Sequence, residues 1–210
     1  MPMPARKVLF WLITLASLGV AGYALVAYLA FTPGSTVHPQ MRATYAQQRV
    51  GILMHVVGSS LTLLLGPWQF VPGVRRRYAA AHRAMGRVYL GVGVLLGGGA
   101  GLYMAFHSYG GWLAHSGFAV LALAWLYTGF RAFTAVRARD FDSHRAWMIR
   151  NFAMALAAVT LRVQLGACAA AGLAFDTYYP WLAWTSWVPN LIVAELLVRC
   201  AREPSVPMAR

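Results

Sequence analysis

Four histidines are spaced as two pairs. His55 and His115 lie 60 residues apart, and His82 and His144 lie 62 apart, in a chain of 210 residues. Two neutral imidazoles meeting at one level of a helix bundle are the donor set of a six-coordinate haem b, and a bundle core supplies the dry slot that such a group needs. Arginines accompany them. Arg83 and Arg145 directly follow His82 and His144, and Arg87 and Arg150 come about one helical turn later. Guanidinium binds carboxylate through two parallel hydrogen bonds, which suits the two propionates of a haem. Arg162 stands 18 residues beyond His144, ~27 Å further along a helix, at the level expected for His55 and His115. The chemistry expected is therefore two haem b groups at two depths, each held by a pair of histidines and by arginines.

That chemistry needs four long helices, each carrying one histidine. The composition supplies them: 60% of residues are hydrophobic, only 11% are charged, and the mean hydropathy is +0.56. Soluble domains carry roughly 25% charged residues, so this chain needs lipid on its outside. A spanning helix takes ~20 apolar residues. Stretches of that kind run over Val8–Phe31, Val50–Val71, Ala79–Phe106, Gly111–Val136, Ser143–Leu173 and Pro180–Arg199. The reading is an all-α, six-transmembrane helix bundle, a single membrane domain over 1–210. Its core is the four-helix second-to-fifth set (50–173), flanked by helices 8–31 and 180–199. The first stretch has the basic start of an export leader, Arg6 and Lys7, but its apolar run is far longer than the ~7–15 residues of a leader, so it reads as a retained helix.

A net charge of +13 would suit a nucleic-acid surface if it were gathered on one face. Instead it alternates with the spans. Of the 18 Lys and Arg residues, 15 fall at one side: Arg6 and Lys7, Arg75 to Arg87 around the second turn, Arg131 to Arg150 around the fourth, and Arg199, Arg202 and Arg210. Arg42 and Arg49 fall at the other side and Arg162 inside a span. Loops rich in Lys and Arg stay cytoplasmic. Both termini are therefore expected inside, with the linkers 32–49, 107–110 and 174–179 outside, and the partner is the lipid bilayer, not nucleic acid. Trp181, Trp184 and Trp187, with Tyr178 and Tyr179, fall where an interfacial aromatic belt belongs.

With sequential helices adjacent, the second and fourth lie diagonally, as do the third and fifth. His55 then faces His115 near the outside and His82 faces His144 near the inside, the levels roughly 18–20 Å apart. His82 opens HRAMGR and His144 opens HRAWMIR, which points to a duplicated helix pair, a parallel repeat known in membrane folds. Asp142 or Ser143 caps the fifth helix. Pro33-Gly34 and Pro72-Gly73 end the first and second, and Pro189 kinks the sixth. Six glycines between Gly91 and Gly101 let another helix, or a flat cofactor, approach the third.

Other chemistries fit less well. Each level offers two histidines with no nearby cysteine or carboxylate, short of a zinc set. Five acidic residues, of which Glu195 alone is well inside a span, are few for a proton-coupled transporter. Cys168 and Cys200 imply neither a metal pair nor a disulfide. His38 and His107 read as solvated. A His-Arg start can also serve headgroups alone, and His55 and His115 can be packing residues.

Gly66-Pro67-Trp68-Gln69-Phe70, HRAMGRVY at 82–89, HRAWMIR at 144–150 and Leu161-Arg162 together resemble a bacterial membrane-protein family, the domain of unknown function 2306, over roughly residues 50–170. That resemblance implies the bacterial inner membrane and brings no activity. In arrangement, though not in continuous sequence, the chain is similar to the cytochrome b561 type of dihaem membrane cytochrome. This implies His55 with His115 and His82 with His144 as ligand pairs, and electron transfer between a donor, a quinol or ascorbate in such proteins, and an acceptor. The function expected is a transmembrane b-type dihaem cytochrome relaying electrons. The alternatives are a non-enzymatic membrane subunit or assembly partner without haem, and a transporter of small solutes or quinone using Arg162, Gln164 and Glu195. The topology is testable by itself: alkaline phosphatase fused within 174–179 should be active and the same enzyme fused after Arg199 inactive. The opposite pattern would invert every level assigned above.

Overall fold

In lipid no water can satisfy the backbone, so a spanning segment must close its own hydrogen bonds as a helix. The computed structural model describes residues 4–32 and 34–201, and all regular structure among them is helical. Six helices are long and apolar enough to cross a membrane: Ala5–Leu29, Arg49–Gln69, Ala79–Ala105, Gly111–Arg137, Phe141–Ala170 and Phe175–Cys200. They are called the first to sixth spans. Two short helices, Pro39–Gln47 and Pro72–Arg77, bridge the gaps before and after the second span, each with proline in its first turn, where the missing N–H is unneeded. Pro33, Arg202 and Arg210 lie outside the described residues.

Local details differ from the sequence reading. Asp140, not Asp142 or Ser143, caps the fifth span, its carboxylate accepting from the Ser143 N–H at 3.0 Å. The second span stops at Gln69, and Pro72 starts a short helix instead of merely breaking a long one. The sixth span is interrupted at Ser186–Trp187 and resumes at Val188, with Pro189 in the new first turn. The third span is not uniformly α: Tyr89–Leu96 is π-helical. Of the expected aromatic belt, Trp181 faces outward, while Tyr179 and Trp187 are buried and the Trp187 indole donates to the Ala183 carbonyl at 2.8 Å.

Consecutive spans pack side by side from the second to the fifth, and the fifth closes against the second. The second and fourth thus lie diagonally, as do the third and fifth. The first span packs on the second and fifth, the sixth on the fourth and fifth. Glycine sets the closest approach. A Cβ on Gly58 would fall 2.5 Å from the Gly97 Cα, so these two backbones touch; Gly93 accepts Thr62 and Gly101 accepts His55 in the same way. Gly93, Gly97 and Gly101 recur every four residues and form one small-residue stripe against the second span. On the other side Gly98 receives Leu126, and Gly129 of the fourth span receives Val94. These glycines admit helices.

A hydrogen bond crosses the diagonal. The Tyr89 hydroxyl of the third span donates to Asn151 Oδ1 of the fifth at 2.9 Å, and Asn151 Nδ2 donates to the Trp125 carbonyl and the Thr128 hydroxyl of the fourth at 2.8 and 2.9 Å. Tyr89 and Asn151 are fully buried. Replacing Asn151 with leucine strands the tyrosine hydroxyl and should cost about 1–3 kcal/mol, read as a lower unfolding midpoint in detergent. Adding Tyr89→Phe to that variant should recover part of the loss, because it removes the stranded group.

Candidate functional site

His82 and His144 each occupy the fourth residue of a helix, Ala79–Val88 and Phe141–Ala155, at the arginine-rich end of the bundle. Both are half-buried. Across the diagonal they are near enough for their charges to act on one another, and Arg75 and Arg83 act on His82 as well. The His144 ring is fixed: its Nδ1–H donates to the Ala132 carbonyl at 2.8 Å, so its Nε2 carries the lone pair. His82 Nδ1 is buried without a partner, and so is Nε2 of Gln69.

The opposite level is less symmetric. His55 donates Nδ1–H to the Gly97 carbonyl at 2.9 Å and lies over Gly101, where a Cβ would come within 2.7 Å of it. His115 instead uses Nε2, donating to the Ser108 carbonyl at 2.7 Å. His82 and His144 stand at the arginine-rich end of the bundle, and His55 and His115 near the start of their spans at the other end.

The arginines divide. Arg83 and Arg145 are exposed at their helix starts, and Arg87 is exposed in the last turn of Ala79–Val88. Arg150 is committed: it grips Glu195 of the sixth span through Nε at 2.5 Å and Nη2 at 2.9 Å and stacks over Trp147 at 4.7 Å. Arg131 lies over the same indole at 4.7 Å. Arg162 is half-buried at the far level, donates to the Ala158 carbonyl at 3.0 Å and lies 5.8 Å from the Tyr23 ring centre. It lies within electrostatic reach of His55, Tyr28 and Tyr45. Gln164 exchanges hydrogen bonds with Thr185 at 3.2 Å. Outside the spans, burial holds the Tyr45 hydroxyl well above the ordinary phenol range. Half-buried Tyr109 is pushed up by its hydrogen bond to Asp176, and His38 stacks on Phe175 at 3.8 Å instead of standing in solvent alone.

Tested against a bis-histidine haem, the arginine-rich level fits. It has two imidazoles at equivalent helix positions within electrostatic reach of one another, one already held by its Nδ1–H with Nε2 left as the lone-pair atom, and it holds buried polar atoms that lack partners. The far level half fits: His55 has the same Nδ1 bond, while His115 spends Nε2 on a carbonyl. Gln69, Tyr89, Asn151 and the Arg150–Glu195 pair escaped sequence reasoning. Gln69 and Tyr89 do stand inside the quoted motifs, and Glu195 is the one acid well inside a span, a signal that a basic partner should be sought.

Fold and site together define a six-span helical membrane protein with paired histidines near one face. The chain belongs to the family described as Predicted membrane protein (DUF2306), which matches residues 52–198. No curated protein and no solved structure matches it. The matched region holds the core, the four histidines and the Arg150–Glu195 pair. Removing one partner of a poorly solvated ion pair leaves an uncompensated charge, so Arg150→Met should destabilise the protein by roughly 3 kcal/mol, and the double variant Arg150→Met/Glu195→Leu should regain most of it. Equal unfolding midpoints for the single variant and the wild type would show the pair to be dispensable.

Proposed function

We propose that this protein is a b-type cytochrome of the bacterial cytoplasmic membrane, with both termini cytoplasmic, that carries electrons across the bilayer. One observation carries the reading: His82 and His144 stand at equivalent helix positions at the arginine-rich end of the bundle, with the His144 ring locked by its Nδ1–H···Ala132 bond. That bond is the outer-shell contact that orients ligating imidazoles and raises their basicity. His82 and His144 would be the axial ligands at the cytoplasmic end, and exposed Arg83, Arg87 and Arg145 would take the propionates. Arg150 serves the fold through Glu195. A haem, when bound, supplies a one-electron couple. A second haem at His55 and His115, near Arg162, requires His115 to give up the Ser108 carbonyl, so the cytoplasmic site is the primary one. Lipid-soluble quinone is the redox partner that such a membrane position favours.

A second reading has its own observation. His55, His115 and His144 all donate to backbone carbonyls, as packing histidines do, which suits a membrane subunit or assembly partner without haem. The transporter reading has less support, because Gln164 and Glu195 are engaged with Thr185 and Arg150.

A reduced-minus-oxidised spectrum of protein purified from haem-supplemented cells separates the readings. The cytochrome reading expects Soret and alpha bands at about one or two haems per chain. His82→Ala and His144→Ala should each remove the same component, and His55→Ala should spare it. A folded protein without haem bands would leave the subunit reading in place.

A further inference from the structure

We propose that Arg131, held on Tyr127 and Trp147 at the outward side of the fourth and fifth spans, is a seat for the phosphate of an anionic phospholipid. The proposal goes beyond the haem reading and uses none of the four paired histidines.

The register of the core builds the seat. The Asn151 bond to the Thr128 hydroxyl fixes the fifth span against the fourth. Arg131 follows Thr128 by three residues and Trp147 precedes Asn151 by four, so the two antiparallel spans meet again one turn nearer the arginine-rich end. There the Arg131 Nη1 donates to the Tyr127 hydroxyl at 2.8 Å, and its guanidinium carbon lies 4.7 Å from the centre of the Trp147 ring. The Tyr127 ring stands edge-on to the same indole at 5.8 Å. Tyr127 is one turn deeper in the span than Arg131. The guanidinium is therefore drawn back along its own helix, whereas a mobile arginine at this end would stretch out among the headgroups.

This leaves charge and donors unused. A guanidinium has five N–H groups, and the Tyr127 hydroxyl takes one. Among the described residues Arg131 has no carboxylate partner; the ion pair there is that of Arg150 with Glu195. Arg150 also lies 4.7 Å from the Trp147 ring, but Glu195 neutralises it. Arg131 is exposed, and so are Tyr127, Phe130 and Phe133 around it, so the free donors face lipid. A cation inside a span without a counter-charge is expensive. An acceptor that carries negative charge and arrives from the lipid side removes that cost.

Depth and surroundings identify the acceptor. The fourth span has 27 residues, ~40 Å at 1.5 Å per residue, against a hydrocarbon core of ~30 Å. Its last turns stand in the headgroup layer, and Arg131 is six residues before its end at Arg137, near the boundary. A phosphate diester is the anion at that level, and guanidinium binds it through two parallel hydrogen bonds. A zwitterionic lipid fits less well. Its ammonium group would meet exposed Arg137 and Arg139, and the indole that could hold a cation already has two guanidinium groups on it.

Native mass spectrometry of the full-length protein in detergent, titrated with phosphatidylglycerol or phosphatidylcholine, tests the seat. Wild-type protein should bind its first phosphatidylglycerol more tightly than its first phosphatidylcholine. Arg131→Gln should weaken that first phosphatidylglycerol about fivefold, the value of one arginine near a membrane surface. Arg137→Gln removes the same charge from the same helix and should leave it within about twofold. Equal losses in the two variants would reduce Arg131 to general surface charge and overturn the proposal. Equal wild-type affinity for the two lipids would overturn it as well, and that measurement decides even if Arg131→Gln does not fold. Displacement of the bound lipid by millimolar inorganic phosphate would make the ligand a free anion and overturn the lipid assignment.

Discussion

The bundle turns on the hydrogen bond between Tyr89 and Asn151. A buried amide that finds no partner costs several kcal/mol on transfer out of water, and Asn151 has three groups to satisfy. It does so with Tyr89 from the third span and with Trp125 and Thr128 from the fourth. One side chain therefore fixes three helices in rotation and in register, because a shift of one residue in any of them strands a polar atom. Tyr89 and Asn151 are 62 residues apart, the interval that separates His82 from His144. Each histidine stands seven residues, about two turns, before its partner in this bond. The helix faces that meet at Tyr89 and Asn151 thus also carry the two histidines.

Close packing does the complementary work. Polar contacts fix the third, fourth and fifth spans against one another, while the second is seated by shape together with the His55–Gly97 hydrogen bond. Its Gly58 touches Gly97, its Thr62 fills the space at Gly93, and its His55 fills that at Gly101. Lipid tails are as apolar as the helix surface, so association in a membrane rests on such fits more than on hydrophobic burial. The π-helical Tyr89–Leu96 segment widens the third span between its polar contact with Asn151 and its glycine contacts with the second span. An extra residue per turn lets one helix satisfy two neighbours whose spacing along the axis does not match.

Much of this was legible in the sequence. Apolar length gave the six spans, and the repeated His-Arg-Ala placed His82 and His144 at equivalent depth, where the structure has them. What escaped were features that depend on rotation about the helix axis. Hydropathy ranks Tyr89 and Asn151 as ordinary interior and polar residues, and nothing local says that they meet. Arg150 read as a group for an anionic ligand, because the sixth span's approach to the fifth, which brings Glu195 to it, is a tertiary fact. The glycines left helix and cofactor as equal readings until Gly58 and Gly97 were seen in contact.

The two levels differ in what surrounds their histidines. Near the arginine-rich end the copies stay equivalent: both histidines open a helix and both are preceded by a span that ends beside them. At the other end the copies diverge. His55 depends on the third span for a carbonyl at Gly97 and an empty position at Gly101. The outer half of the fifth span, Ala157–Ala170, packs chiefly on the sixth and first spans, and it is the sixth span that packs on the fourth there. His115 turns instead to the Ser108 carbonyl in the linker before its own span. The two ends of the bundle thus differ in packing: the third span cradles His55 through Gly97 and Gly101, the sixth span covers the fourth near His115, and Tyr89 with Asn151 ties the third and fifth spans two turns beyond His82 and His144.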